Sequence, residues 1–357
     1  MRQTSQHGGM FMTDYRNNCR FKRFIKPFFI HESSYSKRHV HARTLLFSIL
    51  LSLFVSQSTA CSLFPSAENE FPGSKALTVS ASGHGKRHTV ESILKPQAPG
   101  AMTAANSDGS ITLDYSNTAD GYIMIKDTHD TTTQIQITGP DGVTYPFPLN
   151  SHDFTAFPLS HGNGHYEVSV LEQISGSNYA VSLSQGFDVS LKDEFGPYLY
   201  PNQYVKYTDS SNAVLLGRKL SAQSDSDLSY INNVYNYILK HVKYDDVQAA
   251  SIQPNYIPDA DTTLRTGKGI CFDYAVLMTA MLRSQNIPTR LEVGYVGKVY
   301  HAWISVYTKD KGWINNTIYF DGKNWSLMDP TLAANNSNAA IRKFTGDGSN
   351  YVVRYLY

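Results

Sequence analysis

Short runs in which apolar and polar residues alternate fill the chain after Ser110: ITLDY, GYIMIKD, TQIQITG, HYEVSVLEQ and YAVSLSQGFDVSL. Period two is the mark of half-buried strands, and turn signals such as Thr138-Gly139-Pro140-Asp141-Gly142 separate them. Regular short strands punctuated in this way predict an all-β sandwich over residues 101–192. After FGPYLYPNQYVKY the period changes. Asp225-Ser226-Asp227 precede Leu228, Ile231, Val234, Tyr235, Ile238 and Val242, the spacing of a capped amphipathic helix. A loop with Pro254 and Pro258 follows, then Gly267 and Gly269, and a second helix is expected from Cys271 to Ser284, closed by Asn286 and Pro288. TRLEVGYV and HAWISVYT return to period two, and WINNTIYF and WSLMD follow with Asp321-Gly322 as the turn between them. Helices first and antiparallel strands afterwards predict an α+β domain over residues 193–357.

The chain before these elements is organised differently. Lys37, Arg38 and Arg43 precede the apolar run LLFSILLSLFV, and Ser58-Thr59-Ala60-Cys61 follows, the layout of a secretory signal peptide. The run is too short for a spanning helix, which needs about 20 residues. Residues 1–60 are therefore taken as a preface and signal peptide, and the product as exported. Ala60-Cys61 is similar to the end of a bacterial lipobox, so Cys61 is the candidate lipidation site and membrane tether, with plain secretion as the alternative. Residues 61–100, rich in Pro, Ser, Gly and His, are expected to be a linker.

Composition narrows the functional classes. With 31 Lys and Arg against 30 Asp and Glu the net charge is +1, which gives no electrostatic basis for nucleic-acid binding. His129, His152, His161 and His165 are scattered without metal-ligand spacing and are expected to be solvated or turn residues; no metal or cofactor site is expected from the sequence. No EF-hand-like acidic cluster suggests calcium. Of the three cysteines, Cys19 and Cys61 lie at or before the processing region, leaving Cys271 with no thiol to pair with.

An exported chain that keeps one unpaired thiol calls for a chemical reason. Cys271 opens the expected second helix, where unpaired backbone N–H groups and the positive end of the helix dipole favour thiolate over thiol. A nucleophilic cysteine needs an imidazole to share its proton and a third group to orient that imidazole. His301 begins one expected strand and Asp329 ends another, so adjacent antiparallel strands are expected to present both toward the helix that carries Cys271.

GICFDYA, HAWISV and LMDPT together resemble the three signatures of the transglutaminase-like superfamily of papain-like cysteine enzymes, in the order Cys, His, Asp. RSQNIPTRLEVGYV resembles the family's helix exit, and the likeness extends over residues 190–357, as in exported bacterial members. The resemblance implies an α+β papain-like domain preceded by the sandwich, with Cys271 as nucleophile, His301 as general base and acid, Asp329 as orienting carboxylate and Trp303 as a wall of the cleft. It implies acyl chemistry on peptide or glutamine amides through a thioester, with hydrolysis favoured over amine transfer, a protein or peptide substrate associated with the cell wall, and no cofactor. A crosslinking transglutaminase and a non-catalytic surface binding module are the alternatives. A third, an internal thioester, needs a glutamine beside Cys271, for which Gln253 and Gln285 are the candidates.

Overall fold

The structure is a computed structural model that describes residues 86–253, 255–314, 319–320, 325–326 and 351–357. Strands β1 (Thr103–Ala105), β2 (Ile111–Asp114), β3 (Tyr122–Asp127), β4 (Thr133–Thr138), β5 (Thr144–Leu149), β6 (Thr155–Pro158), β7 (Gly164–Ser175) and β8 (Asn178–Val189) form two four-stranded sheets. Their orders are β1-β2-β3-β6 and β5-β4-β7-β8, and every pairing is antiparallel. Buried side chains of both sheets, among them Ile111, Leu113, Ile123, Ile135, Ile137 and Val168, belong to one apolar cluster. Strands β5 and β6 carry Pro146, Pro148 and Pro158, and each is an edge strand, the position where a missing N–H breaks no ladder.

The chain then enters helices without leaving that cluster. Helix α1 (Asn212–Ala222) precedes α2 (Asp227–His241), which Ser226 caps by accepting from Ser229 N. Asp227 in the first turn of α2 and Lys240 and His241 in its last both complement the helix dipole. Tyr230, Ile231, Val234, Tyr235 and Ile238 form its buried stripe. Strand β9 (Lys243–Tyr244), α3 (Asp246–Ser251), α4 (Ala260–Thr266) and β10 (Lys268–Gly269) lead to α5 (Cys271–Arg283), all of whose residues are buried. Asn286 ends the helix region with φ of 59°, a left-handed conformation that Asn tolerates better than most residues.

Strands β11 (Thr289–Val296), β12 (Val299–Thr308) and β13 (Gly312–Ile314) follow. The short pair β14 (Tyr319–Phe320) and β15 (Trp325–Ser326) comes next, and β16 (Tyr351–Leu356) completes a second sheet system of order β13-β12-β11-β16. Helix α5 packs on β11 and β12 and is flanked by α1, α2 and α4, so it is the centre of this half of the molecule. Among the described residues no helix is long and apolar enough to cross a membrane.

The region read as a linker is docked where it is described. Arg87 donates to Asp227 Oδ1 (2.7 Å), Ser221 Oγ (2.5 Å) and the Gln285 carbonyl (2.5 Å), with its guanidinium over the Tyr230 ring. Gln285 in turn bonds both backbone groups of Val90, and Lys95 pairs with Asp209. Residues 86–97 thus run as a strap across α1, α2 and the exit of α5. Gly and Ser composition predicted the absence of regular structure and said nothing of these side-chain anchors.

Candidate active site

Cys271 is the first residue of α5, is 2% exposed and is the free cysteine of the described residues. The turn that presents it is held by Asp273, two positions further on, which is also 2% exposed. Asp273 Oδ2 accepts from Ile270 N at 2.8 Å, so the carboxylate reaches back over its own helix terminus and satisfies one of the open N–H groups there. Tyr256 donates to Asp273 Oδ1 at 2.6 Å and Gln248 to Oδ2 at 3.1 Å. Burial raises the Asp273 carboxyl above its ordinary range, and these three hydrogen bonds pull it back in part. A cavity of about 330 Å³ opens beside this turn, with Asp245, Gln248, Tyr256, Asp259, Lys268 and Asp273 in its wall. None of this network was singled out from the sequence. An acidic residue in the first turn of a helix, three after the residue that caps it, was the available signal.

His301 lies near the start of β12, opposite Gly294 of β11, and is 7% exposed. A Cβ at Gly294 would stand 2.0 Å from the Val352 carbonyl oxygen, so only glycine lets β16 approach there. Along β12 the side chains that share the apolar cluster with α5 are Ala302, Ile304 and Val306. His301, Trp303 and Ser305 alternate with them on the other face. There Trp303 Nε1 donates to Glu292 Oε2 at 2.5 Å, and the His301 and Trp303 rings lie 6.2 Å apart with 23° between their planes. Tyr300, on the helix-facing side, is within electrostatic range of Cys271 and has its phenol raised chiefly by burial. Cys271 and His301 are carried by neighbouring elements, the helix α5 and the strand β12 that packs on it. Trp303 is buried beside His301 and carries its own acceptor, Glu292, whose carboxyl burial raises.

Asp329, assigned as the orienting carboxylate, and Cys61, the candidate lipidation site, lie outside the described residues. Gln285 is fully buried and committed to Val90, and Gln253 donates to the Ser251 carbonyl. Met278 and Met281 are packed in the core.

Comparison with known proteins bears on this part of the chain. Residues 216–330, which span α5, β11 and β12, match the transglutaminase-like superfamily. This segment is a transglutaminase-like domain. The chain is also 24% identical over 187 residues to the uncharacterized protein YebA of Bacillus subtilis (strain 168), covering 46% of this chain and 25% of that one. The chain thus spans about a quarter of the length of that relative. Among solved structures, a candidate cysteine protease of Cytophaga hutchinsonii aligns over 59% of this chain and 71% of its own, at 17% identity and a TM-score of 0.31. Red sea bream transglutaminase aligns over 54% of this chain and 47% of its own, at 12% identity and a TM-score of 0.25. The assignment rests on the superfamily match.

Two histidines of the N-terminal sheets lie in turns, as expected, and each also meets a carboxylate. The His161 side chain is 2% exposed, lies with its ring tilted against that of Tyr145 at 4.1 Å and pairs with Asp141 at 2.8 Å. His129 meets Glu172 at 2.6 Å, and Asp127 stands beside both. Spacing along the chain concealed these clusters because strand pairing, not sequence proximity, assembles them.

Proposed function

We propose that the chain is a cysteine enzyme of acyl chemistry: Cys271 attacks the carbonyl of a peptide or glutamine amide, His301 gives its proton to the leaving nitrogen, and a thioester on Cys271 results. Water then resolves the thioester in the reading we favour, as in a peptidase or deamidase, and transfer to an amine is the second reading. The observation that carries the proposal is the position of Cys271 as first residue of a wholly buried helix inside the superfamily segment. A thiol there stands at a helix N-terminus, whose N–H groups are placed to serve the oxyanion of the tetrahedral intermediate. The His301–Trp303 strand lies on the same helix. Asp329 as orienting carboxylate and export with lipidation at Cys61, or secretion instead, belong to the same proposal. Mass spectrometry of the mature N-terminus decides between the last two.

The decisive experiment follows the thioester. Glutamine and peptide amide libraries are incubated with the protein, with and without added primary amine, and Cys271 is examined by intact mass. An acyl adduct on Cys271 is expected, absent in Cys271→Ser. Turnover should fall by about 10²–10⁴ in His301→Ala, the range of general acid–base catalysis. Turnover that survives Cys271→Ser would remove Cys271 from the chemistry, and a wild-type chain with neither adduct nor turnover would be a non-catalytic binding module. Amine incorporation that outpaces release of free acid would make it a transferase.

A further inference from the structure

At one end of the N-terminal sheets the fold gathers donors that the sequence scatters. Asp127 is the last residue of β3, His129 lies in the turn after it, and Glu172 is on β7, opposite Thr133 at the start of β4. One ligand-capable atom from each of the three lies within 4.8 Å of the others. His129 bridges two carboxylates, Nδ1 meeting Glu172 Oε1 at 2.6 Å and Nε2 facing Asp108 Oδ2 at 3.5 Å. Asp127 is fixed in place: its Oδ1 accepts from His129 N at 2.9 Å and its Oδ2 from the Thr133 hydroxyl at 2.6 Å. Glu172 Oε1 also accepts from the Thr131 hydroxyl at 3.2 Å. A cavity of about 250 Å³ opens on the cluster, and His152 stands on its rim, with Nδ1 at 3.0 Å from the Asp127 carbonyl and Nε2 at 3.4 Å from Asp130.

A His–Glu ion pair alone would account for two of these groups. It leaves Asp127 buried beside them and Asp108 at the second nitrogen of His129, and among the described residues no Lys or Arg forms an ion pair with Glu172, Asp127 or Asp108. The cluster carries more negative charge than its imidazoles can offset, at a place where a cavity gives access.

We propose that this corner binds one divalent transition cation, Zn²⁺ by preference, through His129, Glu172 and Asp127. One imidazole nitrogen with two carboxylate oxygens is a donor set suited to Zn²⁺, whereas Ca²⁺ and Mg²⁺ take oxygen ligands almost alone. The second nitrogen of His129 faces Asp108, the arrangement in which a ligating histidine is oriented by an outer carboxylate. Binding displaces the proton held between His129 and Glu172 into solvent, and the cation takes its place; no other bond breaks. The fourth position points to the cavity and is filled by water. The cation would tie the turn after β3 to β7, independently of the thiol chemistry.

The test uses the full chain, freed of metal by chelation, and titrates Zn²⁺ by calorimetry and thermal melting. Saturation at one ion per chain with a raised melting temperature is expected. His129→Ala and Glu172→Gln should each abolish this binding. Asp108→Asn, on an exposed turn where folding is not at risk, should weaken it about ten- to hundredfold, as loss of an outer partner does. Co²⁺ in place of Zn²⁺ identifies the donors: weak visible bands without thiolate charge transfer are expected, and a sulfur band would assign the ion to a cysteine instead. The proposal is overturned by that sulfur band, by no saturable uptake at micromolar Zn²⁺, or by uptake that Asp108→Asn and Glu172→Gln leave unchanged.

Discussion

Glu292 is a buried carboxylate that the Trp303 indole N–H meets at 2.5 Å and the Ser305 hydroxyl also bonds, with the Arg290 guanidinium as the charged group acting on it. Burial raises its carboxyl from the ordinary value of 4.5, and those two hydrogen bonds and the Arg290 charge lower it in part. A raised folded value means that the folded chain holds this proton more tightly than the unfolded chain does. The contribution to stability is therefore full below the ordinary carboxylate range and is lost as pH rises through the folded value. Glu292→Gln keeps an acceptor for Trp303 and removes the charge. Urea unfolding from acid to neutral pH should show the wild type losing stability relative to the variant, at no more than about 1.4 kcal/mol per pH unit for a single proton. Parallel curves would mean that Glu292 titrates no differently in the folded chain. At this scale the sequence was legible for the thiol and not for its surroundings. An unpaired Cys after Gly267 and Gly269 announces itself by type and position, whereas the burial of Glu292, or the meeting of His129 with Glu172, depends on which strand lies beside which.

Helix α5 shows how an element is placed by polar groups at its end as well as by apolar ones along its length. Its sequence CFDYAVLMTAMLR is apolar almost all round, as a helix surrounded by other elements must be. That composition predicts a buried helix and does not fix where it starts. Asp273 does so, by bonding Ile270 N, and Tyr256 and Gln248 hold Asp273 from the loop and helix in front of it. Asp273→Ala leaves the Ile270 N–H and the Tyr256 hydroxyl without an acceptor, a loss of about 1–3 kcal/mol for each buried polar group so stranded. A melting temperature lowered by several degrees and loss of thioester formation are expected together. Asp273→Asn, which keeps an acceptor for Ile270 N, should recover most of the stability. If Asp273→Ala melts like the wild type, the carboxylate does not hold this turn. Alternation does not mark β5 and β6, since TYPFPL and TAFP carry prolines that lower any strand reading; their edge positions explain why the fold accepts them.

Over the whole molecule, a line of aromatic rings joins the N-terminal sheets to the residue next to the thiol. Phe157 of β6 meets Phe147 of β5 at 5.3 Å, Phe147 meets Tyr204 at 5.7 Å, and Tyr204 meets Phe272 at 5.5 Å and Tyr357 at 4.6 Å. Polar ties run the same way: Gln203 donates from its backbone to the Ala156 carbonyl and from its side chain to the Pro148 carbonyl, and Tyr198 donates to the Ser160 carbonyl at 3.0 Å. Arg283, at the end of α5, is fully buried and donates to the carbonyls of Tyr200, Thr289 and Tyr357, and burial lowers it from 12.5 to about 10. The change of period near residue 195 marks a change of secondary structure. It does not reveal that both sides share one core, because ring contacts between distant segments leave no periodic trace. Sharing a core has a thermodynamic consequence: neither side can unfold without exposing Tyr204, Phe147 and Tyr357. Calorimetry of residues 86–357 should therefore give one cooperative transition, with calorimetric and van't Hoff enthalpies in agreement. Tyr204→Ala removes the ring at the middle of the line and should cost about 3–5 kcal/mol, as large-to-small aromatic changes in cores do. It should also broaden the transition or divide it, because the remaining contacts between the sheets and α5 are fewer. Two well-separated transitions in the wild type would show instead that the N-terminal sheets are stable alone, and Tyr204→Ala would then lower only the transition that belongs to α5.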